Sequence, residues 1–175
     1  MKLKILFFLF FLLSSCSNGL ISKTNRWYYT ETESGFSATE KQEWGKKALK
    51  KEKELTKQKK LSRKDVIELA RYYEYSGFLG RSLLLYKKYE KQQKSDNKQL
   101  SEAIMHNIAI SYQKLEEWDL ALVYFKKIYD RFSTLDPLKE IIKIHLKNNN
   151  QKEAQKYYKI YQEQGGKEEM NNIKL

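Results

Sequence analysis

The pattern of apolar and polar positions divides the chain into four regions. Residues 5–13 are an unbroken run of Ile, Leu and Phe, and a polar stretch without clear periodicity follows it to residue 37. Between residues 39 and 62 the apolar positions form only a thin helical stripe among many Lys and Glu residues. From Arg63 onward, apolar residues recur with the spacing of amphipathic helices. The pattern therefore predicts an all-α domain, preceded by a charged helix and a polar N-terminal stretch.

The helical region repeats one set of seven positions. The sets begin at Ala70, Ala109 and Ile142, and within each set the spacings are three, four, two, three, four and three residues. Two registers of the set are small in most copies, at Ala70, Ser82, Ala109, Ala121 and Ala154. Small side chains at a fixed register allow two helices to approach closely. A generic bundle of amphipathic hairpins shares the helical period but does not predict these small residues.

The repeated set resembles the tetratricopeptide repeat, a helix–turn–helix unit of about 34 residues. The resemblance implies about three hairpins over residues 63–164, which stack into a self-supporting array. Extra residues between the first two copies are expected at 94–98, in a longer loop. The third copy departs from the family pattern, with Ile142, His145 and Asn149 where a small residue, Tyr and Gly are usual.

In the tetratricopeptide family, partners bind in a concave groove that is lined by the first helix of each hairpin. By register, the groove positions here are Lys64, Ile67, Arg71, Glu74 and Tyr75 in the first unit, Ala103, His106, Ile110, Gln113 and Lys114 in the second, and Asp136, Lys139, Lys143, Leu146 and Lys147 in the third. This set is basic with apolar members, which suits an envelope protein or peptide segment of acidic character. The alternative is that these Lys residues only keep the protein soluble.

The first sixteen residues predict export. Lys2 and Lys4 precede the nine apolar residues of 5–13, which would span about 14 Å as a helix and are too short to cross a bilayer core of about 30 Å. They form a signal peptide over residues 1–15. Leu13-Ser14-Ser15-Cys16 resembles a bacterial lipobox of the looser, spirochaete-like form, which implies a covalent lipid on Cys16. A secreted protein with an incidental Cys is the alternative.

These features predict the order of segments along the chain. A lipidated flexible tether (16–38) leads to a Lys/Glu-rich helix (39–62), the repeat domain (63–164) and a flexible C-terminal tail (165–175). A lipoprotein with such repeats also resembles the BamD-type subunit of the outer-membrane β-barrel assembly machine. That resemblance implies a non-enzymatic protein–protein interaction scaffold in the cell envelope, held at the outer membrane and facing the periplasm.

The charge of the chain first suggests a nucleic-acid partner. There are 34 Lys and Arg against 22 Asp and Glu, a formal charge of +12, which falls to +10 when Lys2 and Lys4 are removed with the signal peptide. Between Glu40 and Lys64, eleven Lys or Arg face four Glu, so that +7 lies in one segment. Because export argues against nucleic acid, we consider that segment either a solvated helix or an electrostatic binder of an anionic membrane surface or envelope polymer.

Nothing in the sequence predicts catalysis. It has no Gly-rich phosphate loop, no nucleophile elbow and no HExxH motif, and its single Cys is assigned to the lipid. Glu102 and His106 lie four residues apart, but two ligands make a poor metal site. We therefore expect no enzyme activity, no metal, no small-molecule substrate and no cofactor besides the lipid. An accessory enzyme of envelope metabolism would need a polar pocket that the sequence does not indicate.

Overall fold

The computed structural model describes residues 35–173, and its regular structure in that range is entirely helical. The helices are α1 (Ala38–Leu55), α2 (Arg63–Tyr75), α3 (Leu79–Ser95), α4 (Glu102–Lys114), α5 (Trp118–Phe132), α6 (Leu135–Lys147) and α7 (Gln151–Glu163), followed by a 3-10 turn (Met170–Asn172). Each α-helix packs against the next one in the chain, so that the helices form an array of hairpins. The predicted all-α hairpin array is thus confirmed. The predicted signal peptide, Cys16 and most of the tether lie outside the described residues.

The turn inside each predicted hairpin has the same backbone geometry. Gly77, Glu116 and Asn149 occupy equivalent positions and have φ angles of 86°, 58° and 55°. The N–H of the following residue donates to the carbonyl five positions earlier, at 2.8, 2.9 and 2.8 Å, in the pairs Phe78–Tyr73, Glu117–Tyr112 and Asn150–His145. This is the Schellman ending of a helix, which satisfies carbonyls that the helix leaves free. The three hairpins α2–α3, α4–α5 and α6–α7 are therefore alike in their turns.

The small residues of the repeated set lie in the interior of the array. Their side chains are fully buried, at Ala70, Ser82, Ala109, Ala121 and Ala154. Around them the core consists of Leu, Ile, Tyr and Phe side chains, with Phe125 and Ile128 completely enclosed. His145 takes the register of a Tyr and stacks on Tyr157 with 5.6 Å between ring centroids. Burial lowers the pKa of His145, to which nearby Lys126 adds, so the neutral imidazole is favoured.

The C-terminal segment is packed on the array up to Ile173, which corrects the prediction of a flexible tail over 165–175 for its described part. Ile173 is buried beside Leu138 and Ile142 of α6, and Met170 packs on the same cluster. Lys139 Nζ forms a 2.9 Å ion pair with Glu168. The physical reason is that the last hairpin of an array has no neighbour on one side, and its apolar face must be covered.

Two other predicted boundaries also differ. Helix α1 ends at Leu55 and not at residue 62, because no apolar residue continues its stripe before Leu61. Leu61 is fixed instead by Gln92, whose side chain bonds its N–H and its carbonyl, each at 2.9 Å. Helix α3 continues to Ser95, so only part of the extra sequence at 94–98 forms a loop. Within residues 35–173, none of the helices has the length and apolar character needed to span a membrane.

Candidate functional site: a basic and aromatic depression at the first hairpin

Four of the predicted groove residues line one open depression of about 650 Å³ on the first hairpin. They are Lys64, Ile67, Arg71 and Tyr75, all on α2. Spacings of three and four residues place these side chains on one face of the helix. Lys64 and Arg71 are exposed at the rim, while Ile67 and Tyr75 are half-buried. The depression is completed by Trp44 from α1 and by Arg63, Glu68 and Tyr72 from α2.

The aromatic wall of the depression comes from three segments. Trp44 stacks on Tyr72 with 5.7 Å between ring centroids and meets Tyr75 edge-on at 5.1 Å. Phe36, which precedes α1, packs on Tyr75 at 5.1 Å and meets Trp44 edge-on at 6.2 Å. The start of α1 is fixed by a capping box in which Ser37 and Glu40 bond each other's backbone N–H. Because these rings pack on one another, the apolar surface beside Ile67 is formed by contacts within the protein itself.

Lys51 determines the charge of the depression. Its ammonium group lies 2.8 Å from a carboxylate oxygen of Asp65 and 2.8 Å from one of Glu68. The Lys51 ammonium, together with the Ser62 hydroxyl, lowers the pKa of Asp65, and the Lys51 ammonium with the Tyr72 hydroxyl lowers that of Glu68. The same two carboxylates raise the pKa of Lys51. The acidic groups of this part of α2 are therefore engaged by a cation from α1.

The cations at the rim of the depression have no such partner. No carboxylate of residues 35–173 lies within 4.0 Å of the cationic nitrogens of Arg63, Lys64 or Arg71. Three positive groups thus surround an aromatic and aliphatic floor. A carboxylate that binds there would gain charge-assisted hydrogen bonds, and an adjacent apolar side chain could rest on Ile67 and Tyr75.

Several groove positions of the other two hairpins are engaged within the protein. Gln113 Nε2 donates to Glu140 at 2.8 Å, and Lys143 Nζ pairs with the same carboxylate at 2.9 Å. Lys147 Nζ lies 3.9 Å above the Trp118 ring. Lys139 also pairs with Glu168, and Glu74 of the first unit accepts a hydrogen bond from Ser82. In the second unit, His106 meets Phe125 edge-on at 5.9 Å, Ile110 packs on the core and Lys114 is exposed. The groove that the sequence predicts to be basic with apolar members has two of its third-unit lysines, Lys139 and Lys143, paired with carboxylates.

Sequence reasoning missed Trp44, Tyr72, Arg63 and Lys51 as members of the site or its support. Trp44 and Lys51 lie seven residues apart, which puts them on the same side of α1, facing α2. That spacing was visible in the sequence. Their partners were not, because the pairing depends on how α1 crosses α2.

The described residues form an array of helical hairpins with a basic and aromatic depression at one end. No family model matches the chain, and no curated protein matches it significantly. Among residues 35–173, no group of three or more His, Cys, Asp or Glu side chains is arranged to hold a metal ion. The depression combines the cations of Arg63, Lys64 and Arg71 with an aromatic and aliphatic surface.

Proposed function

We propose that this chain is a lipoprotein with tetratricopeptide-type repeats, anchored by a lipid on Cys16 and acting as a non-enzymatic scaffold in the cell envelope. Its partner is an envelope protein with a segment that carries a carboxylate next to an apolar side chain. The anchor holds the domain at the outer membrane, facing the periplasm. The resemblance to the BamD-type subunit leads us to propose the assembly of outer-membrane β-barrel proteins as its setting.

The observation that carries the proposal is the division of charge around Lys51. Because Lys51 engages Asp65 and Glu68, the cations of Arg63, Lys64 and Arg71 remain without a carboxylate partner among residues 35–173. These cations lie beside apolar surface that is already formed by Trp44 and neighbouring rings. The repeated Schellman turns and the buried small residues support the tetratricopeptide resemblance.

Arg71→Glu should weaken partner binding at least about tenfold, because the substitution replaces attraction for a carboxylate with repulsion. The measurement is the amount of stoichiometric envelope partner recovered with the crosslinked, native lipoprotein. Lys91→Glu is the matched control, since Lys91 is an exposed cation on α3. Lys143→Gln should matter less than Arg71→Glu, because Glu140 already pairs with Lys143. Equal recovery with Arg71→Glu and Lys91→Glu, or no stoichiometric partner at all, would contradict the proposed site.

Cys16→Ser should release the protein from the membrane fraction or leave it as an uncleaved precursor, since the substitution removes the thiol that would carry the lipid. Each buried methylene of an acyl chain contributes about 0.8 kcal/mol, and stable anchoring takes more than one chain. The measurement is the intact mass of the mature chain with its partition into detergent. Ser15→Ala, which keeps a small residue before the Cys, is the control. An unmodified Cys16 in the native mature chain would refute the anchor.

A further inference from the structure

The outward face of α1 carries three lysines without an acidic partner. Lys46, Lys50 and Lys53 are all exposed, and their spacing puts them one above another on a single helix face. Ala48 and Leu55 are buried on the opposite side, against Leu69 and Tyr73. No carboxylate of residues 35–173 lies within 4.0 Å of the three ammonium groups. The face is therefore positively charged, and at one edge Lys46 and Leu49 border a cavity of about 420 Å³ that Tyr73 and Phe78 also line.

Helix α7 provides an internal comparison because it has three lysines with the same spacing. Lys152, Lys156 and Lys159 are also exposed. There, however, Glu153 lies 3.4 Å from Lys156, and Glu163 lies 3.9 Å from Lys159. The lysines of α7 are thus partly compensated on their own helix. The three lysines of α1 have no carboxylate of residues 35–173 within 4.0 Å, and Glu43 and Glu54 of the same helix lie farther away than that.

An exposed leucine lies beside the lysines of α1. Leu49 has 59% of its surface exposed, compared with 45% for Val123, the other large apolar side chain in the described chain that is markedly exposed. Leu49 follows Lys46 by three residues and precedes Lys53 by four, so the three side chains are neighbours. Exposed Leu among Lys residues is the combination that binds the boundary between headgroups and acyl chains, where the ammonium groups meet phosphates and the apolar side chain leaves water.

We infer that this face of α1 docks on a bilayer surface of anionic phospholipids, with Lys46, Lys50 and Lys53 at the headgroup phosphates and Leu49 at the acyl boundary. Each lysine near such a surface strengthens the contact about fivefold, which makes three lysines worth on the order of a hundredfold. The contact does not use Lys64 or Arg71, which lie at the depression. This contact would hold the array in one orientation relative to the membrane. The depression would stay accessible to a partner.

The test uses the full chain in the Cys16→Ser background, so that Leu49→Cys provides one thiol for a polarity-sensitive fluorophore. The labelled protein is mixed with vesicles of phosphatidylglycerol and phosphatidylcholine, or of phosphatidylcholine alone. We expect a blue shift and a gain in emission at position 49 in the anionic vesicles only. A label at Val123→Cys is the positional control, and it should not respond to the lipid charge.

The lysines are then neutralised together as Lys46→Gln, Lys50→Gln and Lys53→Gln, which keeps helix propensity close to that of Lys. The shift at position 49 should disappear, and it should also disappear at about 1 M salt, where the screening length is about 3 Å. Neutralising Lys152, Lys156 and Lys159 in the same way should leave it unchanged. Equal shifts in the two kinds of vesicle, equal shifts at positions 49 and 123, or a shift that survives the α1 substitutions would overturn the inference. Arg71→Glu should not affect the fluorescence shift at position 49. The inference about the membrane surface can therefore fail while the proposed scaffold function stands, and the reverse also holds.

Discussion

Phe125→Ala should lower the free energy of unfolding by about 3–5 kcal/mol, the range for truncating a large, fully enclosed aromatic side chain. Phe125 has no exposed surface and lies in the central cluster of the array, beside Ala109 and Ile128. The loss combines the lost burial of the ring with the cavity that remains. Since domains of this size are stable by about 5–15 kcal/mol, the substitution should remove a large part of the stability of the fold.

Urea unfolding followed by circular dichroism measures this effect. The matched control is Val123→Ala, two residues earlier on the same helix and 45% exposed, for which we expect a change within about 0.5 kcal/mol. Phe125→Leu should recover part of the loss, because it leaves a smaller cavity. Similar stabilities for Phe125→Ala and Val123→Ala would mean that α5 does not pack through Phe125.

Raising the pH above about 10 should destabilise the domain steeply, because buried tyrosines must ionise. Burial, with the nearby carboxylates Glu90 and Glu117, raises the pKa of Tyr112 to about 12. Burial also raises the pKa of Tyr124, whose hydroxyl donates to the Glu90 carboxylate at 2.9 and 3.0 Å. Burial likewise raises the pKa of Tyr86, helped by Glu74. In the unfolded chain these groups titrate near 10.

The direction of this pH effect follows from the fact that the folded state binds the tyrosine proton more tightly than the unfolded state does. Because the folded pKa of Tyr112 lies above the unfolded one, its contribution is complete below about pH 10 and disappears as the pH rises through about 12. For Tyr112 alone this amounts to about 2–3 kcal/mol. Urea unfolding over this range, with the ultraviolet absorbance of tyrosinate, measures it. Tyr112→Phe should flatten the decline, and a decline of unchanged slope in that variant would contradict the assignment.

Lowering the pH should also destabilise the domain, because Glu90, which accepts the hydrogen bond from Tyr124, becomes protonated. Burial alone would raise the pKa of Glu90, but hydrogen bonds from Lys87 and Tyr124 outweigh it and lower the pKa. Glu90 therefore stabilises the fold above its unfolded pKa and loses that contribution as the pH falls through the lower, folded value. The link between α3 and α5 is thus intact at neutral pH and weakens toward both extremes.

The repeated set of seven positions predicted most of the fold. Small residues at two registers, such as Ala109 and Ala121, are fully buried, and the turn register holds left-handed residues in all three hairpins. These features are local or recur at a fixed period, so they can be read along the chain. The packed end at Ile173 was not predicted, because its apolar residues are few and their partner is the uncovered face of α6 and α7.

The candidate site was predicted only in part. Lys64, Ile67, Arg71 and Tyr75 were assigned to a groove by register from the tetratricopeptide resemblance, and all four line the depression. The sequence predicted that the third unit is basic, but in the structure Lys143 pairs with Glu140 and Lys139 pairs with Glu168. In the sequence these lysines are equivalent to the unpaired ones.

By itself, the sequence determined the helices, their register and the close contacts within each hairpin, because a period of 3.6 residues and small side chains act over short distances along the chain. Only the tertiary structure decided which charges remain uncompensated. An ion pair needs its atoms within about 4 Å, and Lys51 reaches Asp65 and Glu68 only because α1 lies against α2. That contact leaves Arg71 available at the depression, while Lys46, Lys50 and Lys53 of α1 have no carboxylate of residues 35–173 within 4.0 Å.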